Sequence, residues 1–178
     1  MANRAVFVDR DGTMAEDVSY CSCPEDFNLF PATARAIRLL NEHDFKVIVI
    51  TNQSGIGRGY FNEETLAQIH DKMRSDLAKE GACVDAIYYC PHHPDDNCDC
   101  RKPKPKLVLQ AAKDFNIDLR HSFLIGDLQI DIDLGKAIGC HSILIGDSDS
   151  IRTDKNVQPD AIVADILEAV QVILKREK

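Results

Sequence analysis

The chain reads as an α/β protein, a parallel sheet with helices on both faces, and three observations carry that expectation. Short β-branched apolar runs alternate with longer stretches of helical spacing along the 178 residues, the alternation that βαβ units require. The runs Ala5 to Val8, Lys46 to Ile50 and Ser122 to Ile125 are apolar at every central position, as strands covered on both faces are. Each gives way at once to polar or glycine-bearing sequence, which gathers chemistry-bearing residues at the carboxyl edge of the sheet, where open α/β sheets bind ligands.

In chain order, Ala5 to Val8 is the first strand, Ala32 to Glu42 a helix and Lys46 to Ile50 the second strand. Glu63 to Glu80 is the next helix, because Asn62 supplies an N-cap, Glu63 and Glu64 put acids in the first turn, and Gly81 supplies a stop. Ala86 to Tyr89 reads as a strand and Lys106 to Phe115 as a helix; Ser122 to Ile125 and Ser142 to Ile145 are strands flanking a helix over Asp131 to Ile138. The last helix, Ile166 to Lys175, carries an apolar stripe that reads as core packing. The stretches after Asp11 and after Ile87 are loops that leave no room for a folded cap. Residues 1–178 are therefore expected to form one domain. Specificity would then come from short loops: Met14 to Phe30, Asn52 to Tyr60, and the cysteine-bearing loop at residues 90–102.

Composition narrows the class. A hydrophobic content of 44% supports one substantial core, and no apolar stretch is long enough to span a bilayer. The start lacks the basic-then-apolar layout of a secretory signal, so a cytoplasmic location is expected. Seven cysteines, odd in number and mostly clustered, favour a reducing compartment over a disulfide framework. A formal charge of −8 argues against tracking a nucleic-acid backbone. Neither nucleic acid nor membrane is expected as a partner, and the chain is expected to be a monomer.

Asp9-Arg10-Asp11-Gly12-Thr13 delivers two carboxylates to the end of the first strand. Taken alone it also suits an Asx turn. A carboxylate at a strand end can attack phosphorus while Mg²⁺ neutralises the repulsion between nucleophile and phosphate, and an acid two residues on can serve the leaving oxygen. The second strand ends on Thr51-Asn52, followed by Gln53-Ser54-Gly55-Ile56-Gly57-Arg58-Gly59, whose hydroxyl and backbone donors could hold phosphoryl oxygens. Arg101-Lys102-Pro103 pairs a planar fork with a point charge. Phe123-Leu124-Ile125-Gly126-Asp127 ends a further strand on an acid that can join Asp9 around a hard cation, with Asp131 one helical turn later. Three cysteines and two histidines fall within Cys90-Pro91-His92-His93-Pro94-Asp95-Asp96-Asn97-Cys98-Asp99-Cys100. That spacing reads as a closed zinc site supporting the loop; a disulfide or a cysteine-rich turn competes with it.

Those segments, in this order, resemble the haloacid dehalogenase (HAD) superfamily of aspartyl-phosphate phosphatases over nearly the whole chain, which implies a Rossmann-like fold without a large cap. The resemblance makes Asp9 the nucleophile, Asp11 the general acid/base, Thr51 a phosphoryl donor, and Lys102, with Arg101 beside it, the phosphate-stabilising pair. It makes Asp127 a Mg²⁺ ligand together with the Asp9 side chain and the Asp11 main-chain carbonyl. It makes Cys90, His92, Cys98 and Cys100 the zinc set, with His93 left exposed. Leu128 departs from the pattern, since relatives commonly carry Lys there. The zinc loop and missing cap narrow the resemblance to histidinol-phosphate and heptose-bisphosphate phosphatases. The Asp17-Val18-Ser19-Tyr20 loop and Thr51 to Gly59 look most like the latter, implying removal of the 7-phosphate from D-glycero-D-manno-heptose 1,7-bisphosphate. The spacing of Cys90 and Cys98 looks more like the histidinol-phosphate enzymes. Polynucleotide 3′-phosphatases share the Thr-Asn-Gln element but call for a basic surface. The expected substrate is thus a small phosphorylated metabolite, bound by Arg10, Asp17, Tyr20, Asn52, Gln53 and Ser54 as well as Arg101 and Lys102. Cys21 and Cys23 have no counterpart and read as packed small side chains.

Overall fold

The computed structural model describes residues 2–146 and 158–176. Its strands are β1 (Ala5–Val8), β2 (Lys46–Asn52), β3 (Ala86–Cys90), β4 (Phe123–Gly126), β5 (His141–Ile145) and β6 (Ala161–Val163). Its helices are α1 (Thr33–Glu42), α2 (Ser54–Gly57), α3 (Glu63–Lys79), α4 (Lys106–Asp114), α5 (Gln129–Ile138) and α6 (Ile166–Arg176). The strands form one sheet in the order β3-β2-β1-β4-β5-β6, and every pairing is parallel.

Residue alternation explains why the strands read as unbroken apolar runs. Val6, Val8, Val47, Val49 and Ile125 face one side of the sheet and pack with Ile37 and Leu40 of α1, Ile69 and Met73 of α3, and Val170 and Ile173 of α6. Ala5, Phe7, Ile48, Ile50 and Leu124 face the other side, against Val108 and Ala111 of α4 and Leu134 of α5. Both faces are covered, so neither can be polar. Burying one such aliphatic side chain contributes about 2 kcal/mol; a polar residue at Val8 or Val49 would forfeit that and add an unpaired polar group.

The chain leaves β1 for β2 and β3 on one side, then returns to β4 on the other. The carboxyl ends of β1 and β4 are therefore the point where the strand order reverses, and the crevice opens there. Asp9 follows β1 and Asp127 follows β4. Sequence position alone thus aims two acids into one cleft.

Several element ends differ from the sequence expectation. Strands β2 and β3 run on through the pairs Thr51 with Tyr89 and Asn52 with Cys90, so Cys90 is part of the sheet. Helix α5 starts at Gln129 rather than Asp131, because the Asp131 carboxylate folds back to accept from the Leu128 N–H at 3.3 Å and caps the helix. The glycine-bearing stretch after Gln53 contains the single helical turn α2 rather than an open loop. Strand β6 was not expected: with three residues it shows too little alternation to read. Between β1 and α1, and between β3 and α4, lie loops whose regular structure is confined to the short turns Pro24–Asp26 and Pro94–Asp96, so there is no folded cap. Among the described residues no helix is long and apolar enough to cross a membrane.

Candidate active site

A cavity of about 360 Å³ opens at the crevice, and Asp9, Asp11, Thr51, Lys102 and Asp127 are among its lining residues. Asp9 is almost fully buried. Its Oδ1 accepts from the Arg10 N–H at 2.7 Å and from Lys102 Nζ at 2.8 Å. Lys102 Nζ also donates to Asp131 Oδ1 at 2.7 Å, so one buried ammonium bridges two acids. The Lys102 backbone is in turn clamped by Asn52, whose Oδ1 accepts from the Lys102 N–H at 3.0 Å while its Nδ2 donates to the Lys102 carbonyl at 3.4 Å. The end of β2 therefore sets where the cation lies.

Asp127 Oδ1 accepts from the Thr13 hydroxyl at 3.1 Å. Gly12 makes that approach possible: its φ is +80°, and a Cβ there would lie 2.3 Å from Asp127 Oδ2. Carboxylate oxygens of Asp9, Asp127 and Asp131 come within 4.8 Å of one another. Burial pushes Asp9 up to about 7, against the pull of Lys102, and Asp131 and Asp11 push the same way. Burial and the neighbouring Asp9 push Asp127 up to about 6. Burial opposes the Lys102 charge, yet Asp131 and Asp9 outweigh it and hold the ammonium above the ordinary lysine range. The acids are short of positive charge, and all their donors are oxygen.

Asp11 is held differently. The Arg10 guanidinium forks it, Nε to Oδ1 at 3.0 Å and Nη2 to Oδ2 at 2.9 Å, and Gln53 Nε2 donates to Oδ2 at 2.8 Å. Gln53 Nε2 also reaches Thr51 Oγ1 at 2.8 Å, which leaves the Thr51 O–H free to donate. Arg10, expected among the substrate-binding residues, has 0% exposure and does not line the cavity. The loop turns its side chain inward, where it lies 5.7 Å over the Phe27 ring and within 3.3 Å of His70 Nε2. Asn52, Gln53 and Ser54 do line the cavity, although the Asn52 amide is committed to Lys102 and the Gln53 amino group to Asp11 and Thr51.

The rim carries Asp17, Ser19, Tyr20, Arg101, Leu128 and Ile130. Ser19 and Tyr20 both adopt positive φ, 51° and 72°, an uncommon pair for side-chain-bearing residues. Tyr20 is braced edge-on by Tyr60 at 5.0 Å and lies under Arg58 at 5.6 Å. Arg101 Nη1 is buried without a hydrogen-bond partner among the described residues. Leu128 is 52% exposed and gives this part of the rim an apolar wall.

In the adjoining loop, Cys90 Sγ lies 3.5 Å from Cys98 Sγ and 3.6 Å from His92 Nδ1, while Cys100 Sγ lies 3.2 Å from His92 Nδ1 and 3.7 Å from Cys98 Sγ. These sulfurs are unbonded to one another, which removes the disulfide reading. The four donor atoms could hold one metal ion. His92 is the exposed histidine of the pair and His93 is half-buried, the reverse of the expectation for His93. Its Nδ1 accepts from the Asp95 N–H at 3.2 Å and so caps the turn at Pro94–Asp96. Cys21 lines the cavity, and its thiol donates to the Cys23 carbonyl at 3.4 Å.

Sequence reasoning assigned no role to Asp131, Thr13 or His70. Asp131 was legible as an acid one turn past Asp127, but its pairing with Lys102 depends on Gly126, where a Cβ would lie 2.3 Å from the Asp131 carboxyl carbon. His70 is a buried α3 residue pushed down to about 3 by burial, then by Arg10 and Arg74. In the unfolded chain it returns to about 6.5, so below that value the unfolded state takes up the proton first. Its contribution to stability is whole above about pH 6.5 and is lost as pH falls toward 3, at about 1.4 kcal/mol per pH unit. Melting curves at pH 7.5 and 5 should show a smaller drop for His70→Gln than for the unmodified chain; equal drops would contradict the buried neutral ring.

The HAD-hydrolase-like family model matches residues 99–169. The chain is 36% identical over 177 residues to the D-glycero-β-D-manno-heptose-1,7-bisphosphate 7-phosphatase of Pasteurella multocida, covering 96% of each chain. It is 44% identical over 131 residues to the enzyme of that name from Helicobacter pylori, covering 73% of this chain and 75% of the relative. The crystal structure of D,D-heptose 1,7-bisphosphate phosphatase from B. bronchiseptica, complexed with magnesium and phosphate, superposes with a TM-score of 0.89 at 33% identity, covering 97% of this chain and 99% of that one. With its parallel sheet, crevice acids and absent cap, the chain belongs to the heptose-1,7-bisphosphate 7-phosphatase family of HAD-like hydrolases.

Proposed function

We propose that the protein removes the 7-phosphate of D-glycero-D-manno-heptose 1,7-bisphosphate through an aspartyl-phosphate on Asp9, acting as a cytoplasmic monomer of one domain. The observation that carries the chemistry is the division between the two acids of one loop. Asp9 lines the cavity beside Lys102 and Asp127, while Asp11, two residues on, is turned aside and held by Arg10 and Gln53. Nucleophile and proton carrier are thereby kept apart.

The all-oxygen donors and the raised Asp9 and Asp127 fit a hard divalent cation. The Asp9 and Asp127 carboxylates and the Asp11 main-chain carbonyl would hold Mg²⁺, which when bound would supply charge that lets an anionic nucleophile approach a phosphate. Asp9 Oδ2, which has no hydrogen bond among the described residues, attacks phosphorus as the bond to the sugar oxygen breaks, and Asp11 gives the sugar oxygen its proton. Asp11 then takes a proton from water, whose oxygen attacks phosphorus; the bond to Asp9 breaks and inorganic phosphate leaves. Lys102 and the Thr51 hydroxyl hold phosphoryl oxygens as charge develops on them. The unpartnered Arg101 Nη1 and the Tyr20 rim are the groups left for the rest of the sugar bisphosphate. Phosphate release should give a higher kcat/KM for the heptose bisphosphate than for histidinol phosphate or a 3′-phosphorylated oligonucleotide; the reverse order would overturn the substrate assignment.

For Cys90, His92, Cys98 and Cys100 we propose structural zinc. Zn–S bonds of about 2.3 Å and Zn–N bonds of about 2.0 Å give tetrahedral edges of about 3.7 Å between sulfurs and about 3.5 Å from sulfur to nitrogen; two S–S edges here are 3.5 and 3.7 Å and two S–N edges 3.2 and 3.6 Å. The purified protein should carry about one zinc per chain. Chelation should lower the melting temperature and kcat together, because the clip precedes Arg101 and Lys102 directly. Full activity after Cys98→Ser and Cys100→Ser would remove this role.

A further inference from the structure

We propose that Arg10 and His70 form a buried strut whose task is to fix the Asp11 carboxyl for protonating a poor leaving group. The inference rests on the acid/base reading of Asp11. Arg10 is a fully buried guanidinium one residue from each of two reacting acids, an expensive placement unless its nitrogens are partnered. Two of its nitrogens fork Asp11, and the third, Nη1, points to His70 Nε2 at 3.3 Å. A guanidinium can only donate, so Nε2 is an acceptor and the ring is the neutral tautomer with its proton on Nδ1. His70 itself is set edge-on to Tyr89, with ring centroids 6.0 Å apart. Helix α3 and strand β3 thus brace the arginine from behind, and Phe27 covers its face.

The result is an asymmetric carboxyl. Among the described residues Asp11 Oδ2 accepts two donors, from Arg10 and Gln53, whereas Oδ1 accepts one. Oδ1 is therefore the oxygen with room for the proton that passes to the leaving alcohol. Without the fork the carboxyl turns about its own torsions, and a displacement of about 1 Å costs on the order of 100-fold in rate. Arg10 and His70 touch no substrate atom in this account; they act through Asp11.

The discriminating measurement is leaving-group dependence. Breaking the bond to a sugar oxygen needs a proton on that oxygen, whereas 4-nitrophenolate leaves without one, and kcat/KM reports the step in which the bond breaks. Arg10→Lys keeps the charge and loses the fork. It should lower kcat/KM for an alkyl phosphate such as the heptose bisphosphate by about 100-fold, while 4-nitrophenyl phosphate falls by no more than about 5-fold. His70→Phe should show the same split, and His70→Gln, whose amide oxygen can still accept from Arg10, should lie closer to the unmodified enzyme. Equal losses on both esters, or none, would overturn the strut. If Arg10→Lys does not fold, the order of His70→Gln and His70→Phe decides. Asp11→Asn is the control for the underlying reading: if it shows no split, the acid role of Asp11 fails and the strut falls with it. If it shows the split while the Arg10 and His70 variants do not, only the strut is lost.

Discussion

Asp9→Asn should lower kcat by at least about 10⁴-fold against every phosphomonoester while leaving the protein folded. The amide is nearly the same size as the carboxylate and can still accept from the Arg10 N–H, but it cannot attack phosphorus. Folding should not suffer, because burial already disfavours the Asp9 charge and pushes its carboxyl up to about 7. In metal-free buffer the variant should melt no lower than the unmodified chain. Lys102 keeps its second acid, Asp131, at 2.7 Å. Acid quench during turnover, followed by borohydride reduction and peptide mass analysis, should place the trapped acyl phosphate on Asp9 of the unmodified enzyme. Turnover without a modified Asp9 peptide, or a variant with ordinary activity, would refute the covalent step.

The fold was largely readable because strands covered on both faces announce themselves. Val47 to Ile50 can be apolar throughout only in a sheet with helices on each side, and each such run stops where the chain meets solvent and ligand. Asp9, Thr51 and Asp127 were legible for the same reason: each follows or ends a strand at the cleft edge, whereas Lys102 lies in the loop between β3 and α4 and was legible only from the Arg101-Lys102-Pro103 step. What escaped notice depends on side chains meeting across the chain. The expectation put Arg10 among the substrate-binding residues, yet in the structure its flexible stem carries the guanidinium inward to His70, 60 residues away. Asp131 clasps Lys102, 29 residues away, a pairing for which no local pattern exists. The Cys90, His92, Cys98 and Cys100 cluster needed no such partner, since Cys98 and Cys100 lie within ten residues of Cys90 and the loop itself gathers them. His93 was misjudged on exposure because its capping of the Pro94 turn is a matter of loop geometry rather than composition.

Lys102→Met should have the second-largest effect, and it should appear in stability as well as rate. Its ammonium is the only positive group that reaches both Asp9 and Asp131 among the described residues, at 2.8 and 2.7 Å. Removing it leaves Asp131, which is 1% exposed, as an uncompensated buried acid. Breaking one side of such a pair costs about 3 kcal/mol, on the order of 10 °C in melting temperature for a chain of this size. The loss in kcat should be about 10³-fold for every phosphomonoester, because the charge is needed most as the phosphoryl group transfers. Adding Asp131→Asn separates the two effects. In the double variant the melting temperature should recover most of its loss, since the amide needs no counter-charge, while kcat should stay low. Arg101→Ala should behave differently from either, raising KM for the bisphosphate while leaving kcat for simple monophosphates nearly intact, because its unpartnered Nη1 lies at the rim cavity rather than against Asp9. Recovery of activity along with stability in the double variant would mean that Lys102 serves the fold alone, and the phosphate would then have to be held by Thr51 and the bound cation without it.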